Sequence, residues 1–440
     1  MGIKVSRILH AGYVLESQGV QIAFDPLFEN PFSRNCHAFP NVSFDYKRIE
    51  QERFAAVFIS HFHDDHCSLE SLNHLDREIP IYMYCLFDEY FSLLKELGFQ
   101  NVHSLQLNEP VFIGPFVVTP RRALDEDVDS IFHVKAENLN ILNVVDSWID
   151  YETLDLLKKT SWDLVLWPFQ TMREIEVLSP AQAEPASREL PPEWIEQIQE
   201  LNPKAIVPSS CQFRMEEWSW YNKAFFPITY IQFEKDISTV LPNTKVVRLN
   251  PSMSVYLQQD SIMPAPSLDW VHPVGEQNVD YEYDDTLIPP ATSEIAKHFA
   301  ALTDEQTESV LRYCRKGLLE KYNAMEPRQD AYFEVPRIWK LVLYDHRGTP
   351  MSFEYRISLE GIKIADTKSE PIGWLTEVSI AKLYAALELG ESLTSMYVRI
   401  NDNIPTQSVD IMEDPLLRCL FNGAVASYQK AQLKKIQSRA

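Results

Sequence analysis

Ser60-His-Phe-His-Asp-Asp-His-Cys67 follows directly on the apolar run Phe54-Ala-Ala-Val-Phe-Ile59. A run that is apolar on both faces reads as a buried central strand, and the polar residues begin where it ends. Imidazoles two positions apart, leaving a strand end, can point to the same side of a loop. Asp65 and His66 then reach a second position as the chain turns toward a helix. One short segment can thus feed two ions, between which a shared water becomes hydroxide near neutral pH. A merely solvated histidine run would not grow straight out of an apolar strand, and its internal position excludes a tag.

Outward from this stretch, short β-like runs recur at Ile8 to Ser17, Val20 to Asp25, Ile79 to Cys85 and Val111 to Thr119, each rich in β-branched or aromatic residues. Helical apolar spacing appears at Leu69 to Asp76 and Leu86 to Leu97. Further strands are expected at Ile131 to Lys135, Leu139 to Val145, Asp163 to Trp167 and Lys204 to Val207, with helices at Tyr151 to Lys159 and Pro192 to Leu201. Residues 259–291 are Pro-rich and acidic and read as a linker or surface strap. Beyond them Thr303-Asp-Glu-Gln306 is a capping-box pattern, a hairpin is expected from Tyr332 to Ile357, and helices at Glu377 to Leu389 and Leu416 to Lys435. The expected organisation is a domain over 1–258, a linker over 259–291 and an α+β domain over 292–440.

A length of 440 residues exceeds one ordinary core and suggests two domains. The hydrophobic share of 45% and charged share of 23% are those of a globular protein, and 12% aromatic residues can fill cores and wall a pocket. A net charge of −23 disfavours nucleic acid and anionic membrane surfaces as partners. The six cysteines lack paired metal or redox spacing. With no apolar signal core after Met1 and no run near the roughly 20 residues of a membrane span, the expectation is a reduced, cytoplasmic protein without membrane insertion.

The His-x-His-x-Asp-His pattern at 61–66 resembles the signature of the metallo-β-lactamase superfamily. Ile8-Leu-His-Ala-Gly-Tyr-Val-Leu-Glu16 with Ile22-Ala-Phe-Asp-Pro26 is similar to the opening hairpin of its lactonase and phospholipase D branch. Asn140-Ile-Leu-Asn-Val-Val-Asp146 resembles the strand that delivers a metal-bridging carboxylate. The resemblance implies an α/β four-layer αββα sandwich with the site at one edge, and two divalent metal ions (zinc, iron or manganese). It implies that His61 and His63 bind the first ion, Asp65 and His66 the second, and that Asp146 bridges. Asp65 and Asp146 would also orient the attacking hydroxide, while His10 and Asp25 orient ligands. Trp374 to Glu391 is weakly similar to sterol-carrier-like modules, which implies apolar-ligand binding or homodimerisation for the C-terminal domain.

The chain also departs from that pattern. No His occurs in Thr119-Pro-Arg-Arg-Ala-Leu-Asp-Glu-Asp-Val-Asp-Ser130, where Asp125, Asp127 or Asp129 can substitute, with His133 nearby. Ala205-Ile-Val-Pro-Ser-Ser-Cys-Gln212 offers Ser209, Ser210 or Cys211 in place of a final His. Oxygen-rich sites favour harder ions such as iron or manganese. Arg121 and Arg122 are candidates to clamp an anionic substrate, and His37 and Arg34 to touch it from a long loop. Two enzymatic readings follow: a hydrolase of a small-molecule ester, lactone, amide or phosphoester, and a di-iron oxidase or oxygenase similar in layout to the CMP-sialic acid hydroxylases. The third is a degenerate site that serves ligand or partner binding.

Overall fold

The computed structural model describes residues 2–124, 129–326, 331–365, 371–402, 404, 410–423 and 425–439. The chain divides into two compact units, one of Met1–Met172, Ala186–Asp284 and Gln432–Ala440, the other of Arg173–Pro185 and Asp285–Ala431. No helix among the described residues is long and apolar enough to cross a membrane.

The first unit contains two mixed sheets. One has the strand order Ser261–Ala265, Ser254–Gln258, Ile3–Arg7, Tyr13–Ser17, Val20–Phe24, Ala56–Ile59, Ile81–Met83, Val102–Ser104. The other runs Lys245–Val246, Ala205–Ser209, Leu164–Pro168, Leu139–Asn143, Ser130–Ala136, Phe116–Arg122, Val111–Ile113. Alternate residues of each strand share a face. Val5, Leu15, Phe24 and Phe58 of the first sheet accordingly meet Val118, Phe132, Ile141, Leu166 and Val207 of the second in one buried cluster. Residues of the other parity, such as Val57, Ile59, Leu142 and Trp167, are buried too, because helices cover the outer faces. Trp194 of the helix Pro192–Leu201 packs edge-on against Trp167, with ring centroids 6.1 Å apart. The result is the mixed α/β sandwich. Val57, Phe58 and Ile59 are fully buried, which contributes about 1.5–3 kcal/mol for each side chain.

Strand direction places the chemistry. Val20–Phe24 and Ala56–Ile59 run parallel, as do Leu139–Asn143, Leu164–Pro168 and Ala205–Ser209. Their carboxyl ends are followed by Asp25, by Ser60 and His61, by Asp146, and by Ser210 and Cys211. In open α/β sheets this edge is where ligands bind.

Some elements differ from the sequence expectation. Ile8 to Ser17 is not one strand: Ile3–Arg7 and Tyr13–Ser17 flank a turn in which Gly12 N–H donates to Leu9 O at 2.7 Å. A Cβ at Gly12 would lie 2.8 Å from Asp25 O, so the turn requires glycine, and a buried apolar turn looks like a strand in sequence. Residues 259–291 are more than a linker. Ser261–Ala265 and Val271–Pro273 pair with Ser254–Gln258 and Val42–Phe44, and the first unit extends to Asp284.

The second unit is built on a five-stranded sheet in the order Gly361–Ile364, Pro350–Ser358, Arg337–Tyr344, Ile372–Ser379, Arg399–Ile400. Trp339, Leu341, Tyr355, Trp374 and Val378 pack with Val310, Cys314, Leu318, Leu383 and Leu416 of the helices. The capping box at Thr303 opens the helix Asp304–Arg312. The segment from Glu377 begins as strand and turns helical only at Ile380, where Ser379 caps Ile380–Leu389. Asp414, fully buried, accepts from Trp374 Nε1 at 2.7 Å and from the Leu416 and Leu417 amides at 2.9 and 3.0 Å, so its polar atoms are satisfied inside the core.

Candidate metal centre

Asp25 organises the site. It leaves its strand at a φ of 40°, and its side chain is fully buried beneath the His-rich loop. Oδ1 accepts the Ser60 amide at 2.8 Å, and Oδ2 accepts the Ser60 hydroxyl at 2.7 Å and the His66 Nδ1–H at 3.1 Å. Because the Ser60 proton goes to Asp25, the 2.9 Å contact between Ser60 Oγ and His61 Nδ1 requires His61 to donate. Both His61 and His66 therefore carry their proton on Nδ1 and present Nε2, which is how a carboxylate sets metal-binding imidazoles.

Those two nitrogens face Asp146. Its Oδ2 lies 2.9 Å from His66 Nε2 and its Oδ1 3.8 Å from His61 Nε2, so each imidazole has its own carboxylate oxygen. Asp65 Oδ1 is 3.6 Å from His66 Nε2, and His63 Nδ1 is 2.9 Å from His61 Nε2. Separations of about 3 Å suit neighbouring ligands of one ion with bonds of about 2.0–2.2 Å. Val145, next to Asp146, has a φ of 65°, a conformation that costs a β-branched residue on the order of 1–3 kcal/mol. His10, Asp25, Ser210 and Cys211 are likewise left-handed, so the strained turns gather around the site.

The electrostatics are those of a cation site. Burial disfavours charge on Asp65 and Asp146, yet His66 holds both carboxyls well below the usual range. Burial also works against a charged His66, but Asp146 and Asp65 raise it well above the ordinary imidazole value. His61 moves the other way, lowered by burial and by His66, and so keeps a free electron pair. Two ionised carboxylates and imidazole nitrogens converging in a buried space fit a divalent cation.

His10 has a different role from the other imidazoles. Among the described residues, one atom from each of His10, Asp65, His66 and Asp146 lies within 4.8 Å of the other three. However, the Cys211 amide donates to His10 Nδ1 at 3.1 Å. The neutral ring must then carry its proton on Nε2, which faces Asp65 Oδ2 at 3.1 Å. His10 thus orients Asp65, and coordination through Nε2 would require that proton to leave. Arg7, fully buried, steadies this turn by donating to His10 O, and to Pro208 O at 3.0 Å.

The remaining candidates separate clearly. Asp125 and Asp127 lie outside the described residues. Asp129 Oδ1 is a buried atom 3.6 Å from His61 Nδ1, and burial raises its carboxyl. His133 is not brought to the site. On the strand Ser130–Ala136 its Nε2 meets Asn140 Oδ1 at 3.0 Å and its ring meets Trp162, because strand alternation turns it to the outer face. Ser209 accepts the Tyr13 hydroxyl at 2.9 Å, and the Ser210 hydroxyl accepts the Phe169 amide at 3.2 Å. Cys211 reaches the site through its backbone amide. His37 lies on a short strand pairing with Arg214, and burial lowers its imidazole. Arg34 sits in the preceding turn at a φ of 73°. Ser60 and Asp64 were missed in the sequence. Burial, with the charge of Asp65, pushes Asp64 up to about 7; its place beside Asp65 was the available signal.

The arginine pair is engaged elsewhere, contrary to the anionic-clamp expectation. Arg121 donates to Asn108 at 2.8 Å, and Arg122 pairs with Asp150 and Glu152, each at 2.8 Å. Asp150 also caps the helix Tyr151–Leu157, accepting from Thr153 N–H at 2.9 Å. Burial would raise Asp150, yet Arg122 and Thr153 bring its pKa to about 2. That is below the roughly 3.9 of an unfolded aspartate, so its contribution is complete above about pH 4 and is lost as pH falls toward 2. Asp150→Ala should cost about 1–2 kcal/mol at pH 7, with the difference from wild type shrinking by pH 3 in urea melts. An equal difference at both pH values would contradict this.

Residues 4–210 match a family model described as a beta-lactamase superfamily domain. No curated protein matches the chain. Among solved structures, Igni18, a metallo hydrolase from the hyperthermophilic archaeon Ignicoccus hospitalis KIN4/I, is similar at 15% identity, over 59% of this chain and 99% of that one, with a TM-score of 0.41. CmlA, a diiron beta-hydroxylase from Streptomyces venezuelae, is similar at 15% identity over 58% of this chain and 54% of its own, with a TM-score of 0.42. YhfI from Bacillus subtilis, a metallo-beta-lactamase fold protein, shows 14% identity over 58% and 99%, with a TM-score of 0.38. The family match ends before most of the second unit begins, and so the sterol-carrier-like resemblance there rests on sequence alone. Residues 4–210, where two sheets bring histidines and aspartates to one edge, thus match the beta-lactamase superfamily domain.

Proposed function

We propose that the first unit is a metal-dependent hydrolase of a small-molecule ester, lactone or amide, with phosphoesters the less favoured class. The observation that carries this is the single carboxylate, Asp25, that sets both His61 and His66 to present Nε2 to the space shared by Asp146 and Asp65. A divalent ion bound there supplies Lewis acidity and lowers the pKa of water toward 7. Asp65, oriented by His10, can orient the attacking water. The engagement of Arg121 and Arg122 with Asn108, Asp150 and Glu152 argues against a strongly anionic substrate. Exposed Phe87 packs on Phe62 of the ligand loop with centroids 5.6 Å apart, and exposed Trp148 follows Asp146 by two residues. These rings suit an apolar substituent on the substrate.

The test is hydrolysis by metal-replete protein across a panel of esters, lactones, amides and phosphodiesters. Turnover confined to neutral carbonyl substrates is expected, and no turnover anywhere would sink the reading. A second reading, a di-iron oxidase, is favoured by the carboxylates Asp65 and Asp146, with Asp129 beside His61, since oxygen-rich sites suit iron. Metal analysis and a visible spectrum of aerobically purified protein separate the two. Colourless protein that holds zinc and no iron, even from iron-rich cells, excludes the oxidase.

A further inference from the structure

Two residues after His66, Ser68 caps the helix Leu69–Leu72. The cap is an unusually complete buried network. Ser68 Oγ accepts the Ser71 amide at 3.3 Å and donates to Glu29, and Ser71 Oγ donates to Glu29 at 2.7 Å. The two groups still open at this turn are closed from the far end of the chain. Gln432 Nε2 donates to Ser68 Oγ at 2.9 Å, and the Leu69 amide donates to Gln432 Oε1 at 2.7 Å. Ser68 is 1% exposed and Gln432 5%, so water does not replace these bonds. Nearby, Lys435 pairs with Glu70 at 2.6 Å at a more exposed position.

The ligand loop is therefore a span with two anchors. Upstream it hangs from the strand Ala56–Ile59 and from Asp25, which holds Ser60. Downstream it is held at Ser68 and Leu69. His61, His63, Asp65 and His66 all lie between. Freedom at either anchor becomes a displacement of the donor atoms, and a metal site tolerates little. We propose that Gln432, a residue far outside the superfamily domain in sequence, is a positioning residue for the metal loop. By satisfying both Ser68 and Leu69 it fixes the exit of the loop, and with it the aim of Asp65 and His66. The proposal rests on the reading that these residues bind a metal.

Cobalt(II) titration of the full-length protein, followed by its visible bands, tests this without depending on any substrate. Gln432→Ala and the shape-preserving Gln432→Met are expected to weaken cobalt binding about tenfold, as when partners that orient metal ligands are lost. They should also alter the band pattern, which reports ligand geometry. Lys435→Ala, which removes the pair with Glu70 and no hydrogen bond to Ser68 or Leu69, should leave both readouts within about twofold of wild type. Circular dichroism identifies whichever glutamine variant remains folded. A folded Gln432→Ala or Gln432→Met protein with wild-type cobalt affinity and spectrum overturns the positioning role. Wild-type protein that binds no cobalt instead overturns the metal-centre reading, and this proposal with it.

Discussion

Asp146→Ala is expected to weaken divalent-metal binding by about 100-fold or more and to reduce hydrolysis by roughly 10³-fold or more. Its carboxylate reaches both imidazoles, with Oδ2 at 2.9 Å from His66 and Oδ1 at 3.8 Å from His61. Without the carboxylate, His66 loses the largest of the attractions that hold it above the ordinary imidazole value. The site then has one anionic donor fewer to balance the charge of a cation. Asp146→Asn keeps the shape and removes the charge, so it separates charge from packing. Equilibrium dialysis with metal analysis reads affinity, and circular dichroism reads the fold. A folded Asp146→Ala protein that keeps its metal and its activity would remove Asp146 from the centre altogether.

The second large effect is expected at a residue that touches neither metal nor substrate. Asp25 accepts the Ser60 amide, the Ser60 hydroxyl and the His66 Nδ1–H. Asp25→Ala strands all three donors in a space without solvent, which should cost about 2–5 kcal/mol of stability. It also frees His61 and His66 to adopt the other tautomer. Metal affinity should fall by about 10- to 100-fold, and Asp25→Asn, whose amide must turn a donor toward at least one of these groups, should fall between the two. Urea midpoints and metal titrations measure the two effects independently. Wild-type stability together with affinity within twofold would mean that the hydrogen bonds do not set the imidazoles.

These roles were not equally legible. His61, His63, Asp65, His66 and Asp146 stand immediately after apolar strands, and a strand that ends in polar residues announces a sheet edge. Other features depend on partners distant in sequence. The task of His10 is defined by the Cys211 amide, 201 residues away, and that of Ser68 by Gln432. Spacing carries no record of either. Arg122 looked available because its partner, Asp150, reads equally well as an ordinary helix cap. His133 failed as a ligand because alternation along a strand, which gives each residue one of two faces, aimed it at Trp162. In the fold, the buried turn at residues 8–12 was mistaken for strand because its residues are as apolar as those of a strand, Gly12 being the single breaker. The Pro-rich stretch after residue 259 conceals strands that lie at a sheet edge or in a small two-stranded ribbon, and edge positions tolerate proline.

The order of synthesis gives the discontinuous first unit one more consequence. The segment Gln432–Ala440 belongs to the same compact unit as the metal loop, and 364 residues separate Ser68 from Gln432. A ribosome adding about 5–20 residues per second needs roughly 20–70 s to cover that distance. Throughout that interval the downstream end of the nascent loop has Glu29 as a partner and lacks both bonds to Gln432. A domain whose sheets can form early thus acquires its final hydrogen bonds late, after the second unit has already been translated.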